Sequence, residues 1–363
     1  MKLIADSGLW SLGPQMPPPP RAAVLEVAGA VLEWTVDAVP AADPRITFTD
    51  VAAADWLWHL VGADGHARML DASGTGPPPA GLVLDIGDLE LAPEPLAALR
   101  RLAVGHWLRR WWPTSIRDGI VALDAALLDA EIAVSTVQLQ DYFSQDTVDS
   151  DIAGLLAPHR VALMGSAGAD DPRVRQVARA AAELAEDLGL GDWSKEAEPQ
   201  SGRRRDDYAL AAGGSAGPAN DVIARGVATV SWTAVPPAIF DAAEDTVEWS
   251  VRRSDAAVLA EVAVATIGPA EGIALWFESG PVSARGVLDA GGSATLELAE
   301  YGRALTEDQA WAHHWGATVV AVGADVNEAE SVRRRIREWV RSRMSDPGPD
   351  SYLAEIVAAE ADY

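Results

Sequence analysis

An α+β chain is what the sequence predicts, and three observations carry the prediction. Residues 227–299 hold short alternating runs between turn residues, the middle of the chain holds stretches of helical periodicity, and the first ninety residues repeat the alternating pattern. The expected architecture is an N-terminal β-rich plus helical region followed by a C-terminal antiparallel β-sandwich-like domain with flanking helices. With 363 residues, 49% of them hydrophobic, the chain can bury about two cores. The expected boundaries are a mixed β then α domain over 1–193, a flexible linker or long loop over 194–221, and the sandwich-like domain with its C-terminal helices over 222–363.

Taken in order, the first landmark is Gly13-Pro14-Gln15-Met16-Pro17-Pro18-Pro19-Pro20, whose four successive prolines exclude helix and central strand and predict a stiff lead-in. The run from Val24 to Val36 reads as strand, as do Arg45–Val51, Trp56–Leu60 and Leu82–Leu91. Gly74-Thr75-Gly76-Pro77-Pro78-Pro79 reads as a loop. The character changes at Pro93. Leu96, Leu99, Leu102 and Ala103 recur at helical spacing and predict a helix over 94–111, stopped by Pro113. A second helix follows from Asp124 to Phe143, and a third runs over 171–188, opened by Pro172 and closed by Gly189.

Residues 194–221 combine charge with small residues and show little periodicity, which is the composition of a linker. Beyond them, strands are expected near 227–235, 246–253, 257–265, 273–279, 282–289 and 293–298, a spacing that fits a sandwich. In Thr246–Arg252 the period of two puts Val247, Trp249 and Val251 on one face. Thr306-Glu307-Asp308-Gln309 is a capping box that starts a helix over 307–315, with Gly316 as its C-terminal glycine. A strand at Ala317–Val322 follows. Asn327-Glu328-Ala329-Glu330 repeats the capping device ahead of a helix over 328–344, and Tyr352–Ala361 forms a last helix.

Composition excludes several chemistries. The chain has no cysteine, so disulfides, thiolate metal sites, iron–sulfur clusters and cysteine nucleophiles are ruled out. A formal net charge of −26 opposes nucleic-acid binding, which draws its affinity from clustered basic residues. Apolar runs break well short of the ~20 residues a bilayer requires, and the opening Met1–Asp6 has no signal-peptide core. The expectation is a cytoplasmic protein without membrane insertion. Only two of the basic residues are lysine, against 26 arginines, a bias typical of a high-GC bacterial genome.

Candidate chemistry is sparse. The adjacent His313-His314 point about 100° apart on a helix and lack the i, i+4 partner of a metal pair. His59 and His66 flank an expected turn at Gly62–Gly65, while His106 and His159 stand alone. Asp241, Glu244, Asp245 and Glu248 read as a solvated face. Met164-Gly165-Ser166-Ala167-Gly168, after an expected strand at Arg160–Met164, misses the nucleophile-elbow spacing by one residue and reads as a tight loop. No metal or organic cofactor is expected.

Two basic features remain as candidate binding surfaces. One is the dense cluster of tryptophan and arginine at 105–120, with Trp107, Arg109, Arg110, Trp111, Trp112 and Arg117, residue types that dominate protein-binding hot spots. Its bland counterpart is a core anchor at a helix end. The other is the helix 328–344, where Val332, Ile336, Trp339 and Val340 make an apolar stripe beneath Arg333, Arg334, Arg337 and Arg341. Its bland counterpart is internal packing, with the arginines neutralising acids of the same chain. Arg203-Arg204-Arg205 falls in the linker. Together these features point to a non-enzymatic protein-interaction or accessory component of a multi-protein bacterial system, with a protein partner. The alternative is a hydrolase or small-molecule enzyme whose site lies around His106, Arg109, Arg110, Arg117 and Asp118.

Overall fold

The computed structural model describes residues 1–38, 42–74, 76, 78–143, 147–148, 151–191, 193, 221–254, 257–326 and 328–361. The expected linker, all but Asp221, lies outside the described residues, and so do Arg203–Arg205 and the expected cap Asn327. The fold is α+β, with antiparallel sheets at both ends of the chain and helices between and after them. The described residues fall into two compact units, each assembled from separate stretches of chain. One takes those within Met1–Trp111, Leu123–Gln200 and Glu338–Tyr363, the other those within Trp112–Ala122 and Ser201–Arg337.

The first unit contains a six-stranded antiparallel sheet built from β1 (Lys2–Asp6), β2 (Leu9–Leu12), β3 (Ala22–Val27), β4 (Ala30–Thr35), β5 (Arg45–Phe48) and β6 (Val83–Asp85), in the order β3-β4-β5-β2-β1-β6. Alternation decides which face is covered. Ala23, Leu25 and Val27 of β3, Leu32 and Trp34 of β4, and Ile46 and Phe48 of β5 are all buried. The single strand expected over Val24–Val36 is thus a hairpin, because Gly29 at φ +70° lets the chain reverse between β3 and β4. The N-terminal pair β1 and β2 was not anticipated, and of the strand expected at Leu82–Leu91 only β6 forms.

Helices α1 (Trp58–Ser73), α2 (Pro93–Trp111), α3 (Ala125–Phe143), α4 (Ile152–Leu156), α5 (Arg160–Ser166) and α6 (Pro172–Asp187) follow. The strand expected at Trp56–Leu60 is instead a 3-10 turn at Asp55–Leu57 running into α1. Trp56, Leu57 and Leu60 are all buried, and their spacing suits one face of a helix rather than a pleat. The turn expected at Gly62–Gly65 survives as a break in α1, where Gly62 takes φ +73°. The strand expected at Arg160–Met164 is the body of α5, so Gly165-Ser166 ends a helix. Helix α2 packs on β3 and on α3, and α3 in turn meets α4, α6 and the C-terminal α9 (Leu353–Ala361). Leu99, Leu102, Ala103 and Val104 of α2 and Ala130, Ile132 and Ala133 of α3 are fully sealed from solvent.

The second unit holds two antiparallel sheets. One orders β12 (Ser293–Glu297), β9 (Val258–Val264), β8 (Val247–Arg253) and β7 (Val222–Ala228); the other orders β14 (Arg303–Ala304), β13 (Ala299–Glu300), β11 (Val282–Val287), β10 (Ala274–Ser279) and β15 (Val319–Val322). Val247, Trp249 and Val251 face inward together, as their spacing predicts. They share one core with Leu275, Phe277, Val282 and Val320 of the other sheet. Trp249 meets Phe277 edge to face with ring centroids 5.6 Å apart. Helix α7 (Glu307–Ala312) opens on the complete capping box of Thr306 and Gln309. It stops at His313, however, and Gly316 sits in a separate 3-10 turn whose Trp315 donates its indole N–H to the Ala310 carbonyl. The division between the units falls inside α8 (Glu330–Ser345).

Candidate functional site

The tryptophan and arginine cluster at 105–120 is split by the end of α2. Within the first unit, Trp107 is buried, donates its indole N–H to the Pro20 carbonyl, and meets Trp339 edge to face at 5.0 Å. Trp111 is half-buried beneath the Arg110 guanidinium, 4.0 Å from its ring centroid. Beyond the helix, in the second unit, Trp112 is half-buried and donates to the Val121 carbonyl at 2.8 Å. Ser115 and Ile120 close a tight loop between them.

That loop is anchored by acids expected to be solvated. Asp241 is 4% exposed and accepts from the Ser115 hydroxyl at 2.6 Å and from the backbone N–H groups of Ile116 and Arg117. The sequence could not place it, because only the loop it binds removes it from water. Arg117 is exposed and donates to the carbonyls of Glu244 and Asp245, at 3.0 Å each. Asp118 lies 3.3 Å from Arg337.

The arginines of α8 divide the same way. Arg333 and Arg337 are each 5% exposed and converge on Glu244, Arg333 through two bonds of 3.0 and 2.7 Å and Arg337 through one of 2.7 Å. Burial alone would push the Glu244 carboxyl up. The hydrogen bonds and charges of the two arginines overcome it and bring the pKa down to about 2. Arg334 is exposed, 3.8 Å from Glu330, and Arg341 is exposed too. Sequence reasoning missed Arg343, which is 8% exposed and grips the fully buried Glu355 at 2.6 and 2.7 Å. Its signal was present, since Arg343 follows Ile336 and Val340 by seven and three residues on the buried face.

A second polar cluster lies in the first unit. Asp129 of α3 is 3% exposed, and its Oδ2 lies 3.0 Å from His159 Nε2. Among the described residues its Oδ1 takes no hydrogen bond, although Arg109 Nε lies 2.9 Å away. His106, one turn before Arg109, has its pKa lowered by burial first and then by the Arg109 charge, partly offset by Asp129. The fold therefore brings His106 and Arg109 of the alternative reading to Asp129 and His159, while Arg117 and Asp118 make their contacts in the other unit.

The first unit carries a groove between α2 and α3 with a cavity volume of ≈ 300 Å³. Glu94, Ala98 and Arg101 line it from α2 at steps of four and three residues, and Ser135, Gln138, Leu139 and Tyr142 line it from α3 at steps of three, one and three. Arg101 donates to the Ser135 hydroxyl at 3.0 Å, lies 3.4 Å from Glu131, and sits 4.1 Å from the Tyr352 ring centroid. Tyr142 is 55% exposed. His59 approaches it at 5.1 Å, and Trp58, 49% exposed, stacks on His59 at 3.7 Å, so an aromatic row continues from the groove. The row is not legible in the sequence, where Trp58 and Tyr142 stand 84 positions apart.

In the second unit His313 Nε2 lies 2.9 Å from the hydroxyl of Ser279, which is sealed from solvent, while His313 is half-buried. Among the described residues no group of three or more His, Asp or Glu side chains could hold a metal ion, and no helix is long and apolar enough to cross a membrane. In comparisons with known proteins, no protein-family model matches the chain, and no curated protein or solved structure matches it.

Proposed function

We propose that this chain is a non-enzymatic interaction component of a multi-protein bacterial system, binding a protein partner through the first unit. The observation that carries the reading is the α2–α3 groove with Tyr142, His59 and Trp58 arrayed from its edge toward solvent. Half-exposed aromatic side chains beside a cavity offer a partner large apolar area at small entropic cost. The buried arginines of α8 support the reading indirectly, because side chains locked onto Glu244 and Glu355 are not available to a polyanion. Affinity purification from the native host followed by mass spectrometry tests it. A stoichiometric partner is expected with the native chain and is lost from a Trp58→Ala, Tyr142→Ala variant. Recovery of the native chain alone and monomeric under mild conditions would refute the proposal.

A second reading, a hydrolase or small-molecule enzyme, is favoured by one arrangement. A buried carboxylate orienting a histidine, with His106 held toward its neutral form nearby, is a combination that serves proton transfer. Turnover of an ester or amide substrate that disappears in both His159→Ala and Asp129→Asn, with the fold intact, would carry that reading.

A further inference from the structure

The groove between α2 and α3 has two unlike ends, and their chemistry selects an occupant. The contact of Arg101 with Ser135 sets the register of the two helices. Glu94 lies seven residues before Arg101, and Tyr142 lies seven residues after Ser135. Because α2 and α3 run antiparallel across the groove, both steps lead toward the same end, about 10 Å away at 1.5 Å per residue. At the Arg101 end the positive charge is already met by Glu131, by the Ser135 hydroxyl and by the Tyr352 ring beneath it. At the far end Glu94 is exposed beside Tyr142, with Pro95, Ala98 and Leu139 providing an apolar channel between.

Resting on the interaction reading above, we propose that this groove recognises an extended segment of a partner protein that carries an arginine or lysine. The aliphatic stem lies along Pro95, Ala98 and Leu139, and the cationic head reaches Glu94 and the face of Tyr142. The Gln138 amide, exposed on the same stripe, meets the peptide backbone of the segment. Charge complementarity decides the sign of the occupant. Among the described residues lining the groove the charged side chains are Glu94 and Arg101, Arg101 is paired with Glu131, and the chain as a whole carries −26. An acidic segment would place its carboxylate against Glu94 and find Arg101 already committed.

The test is fluorescence anisotropy of a fluorescein-labelled pentapeptide containing two arginines, titrated with the full chain, beside a counterpart in which glutamates replace the arginines. Saturable binding of the arginine peptide is expected, weakened roughly fivefold to tenfold by Glu94→Gln and by Tyr142→Ala, with Glu186→Gln on α6 unchanged. The affinity is also expected to fall as salt rises. Equal binding of the glutamate peptide, or native affinity in both groove variants, would overturn the proposal. The host purification separates this proposal from the reading it rests on. A partner retained by the Glu94→Gln, Tyr142→Ala double variant moves the interface off the groove and overturns the proposal while leaving the interaction reading intact. Peptide binding that depends on Glu94, by a chain that recovers no partner, supports the groove chemistry and removes the interaction reading.

Discussion

Glu244 decides whether the arginines of α8 are surface or structure. Two guanidiniums with side chains 6–7% exposed share its carboxylate; Arg337 also lies 3.3 Å from Asp118 and Arg333 donates to the Glu328 carbonyl, but removing the Glu244 charge takes an ionic partner from both. Glu244→Gln is expected to cost about 3 kcal/mol at neutral pH, read by urea unfolding. The sign of the pH dependence follows from the lowered pKa. Ionised Glu244 stabilises the fold above its ordinary value of 4.5, and that contribution is lost as pH falls toward about 2. The native chain should therefore lose more stability between pH 5 and 2 than the glutamine variant, and parallel curves would refute the assignment. At the same scale, Asp129 illustrates what residue identity leaves open. His159 appeared isolated because its partner is 30 positions away and belongs to a different helix.

Among the elements, the close approach of α2 to the C-terminal segment is set by one glycine. A Cβ on Gly105 would lie 2.3 Å from the Tyr352 hydroxyl and 2.9 Å from Ile132, so the small residue is what admits the buried tyrosine between the helices. Tyr352 is fully buried and donates to the Arg101 carbonyl at 2.9 Å. Gly105→Ala should destabilise by about 1–3 kcal/mol through overpacking, and Tyr352→Phe by about 1 kcal/mol through the lost hydrogen bond. Because the two changes meet at the same hydroxyl, the double variant should cost less than the sum; strict additivity in thermal unfolding would count against the contact. Elements with local signals were legible in advance. The Thr306–Gln309 capping box gave the start of α7, and alternation gave β8 to within a residue. Elements whose apolar runs fit both periods were misassigned, Trp56–Leu60 and Arg160–Met164 among them.

The whole molecule combines strong acidity with arginines that, among the described residues, are largely engaged within their own unit. At about 50 mM salt the chain should pass through a DNA column without retention, since Arg333, Arg337 and Arg343 are buried in ion pairs. Retention at that salt would show that the exposed Arg334 and Arg341, or other basic groups, suffice for binding. What the sequence by itself determined is the fold class, the inward face of β8, most helix limits and the exclusion of cysteine chemistry. Each follows from a period, a cap or a composition, all of which act within a few residues. What only the tertiary structure decided is which charges are buried and which side chains meet. Asp241 and Ser115, Glu244 and Arg333, Asp129 and His159, and His59 and Tyr142 are brought together across 30 to 126 positions. Pairings at that separation depend on how sheets and helices pack, and packing is a property of the whole core rather than of any local run of residues.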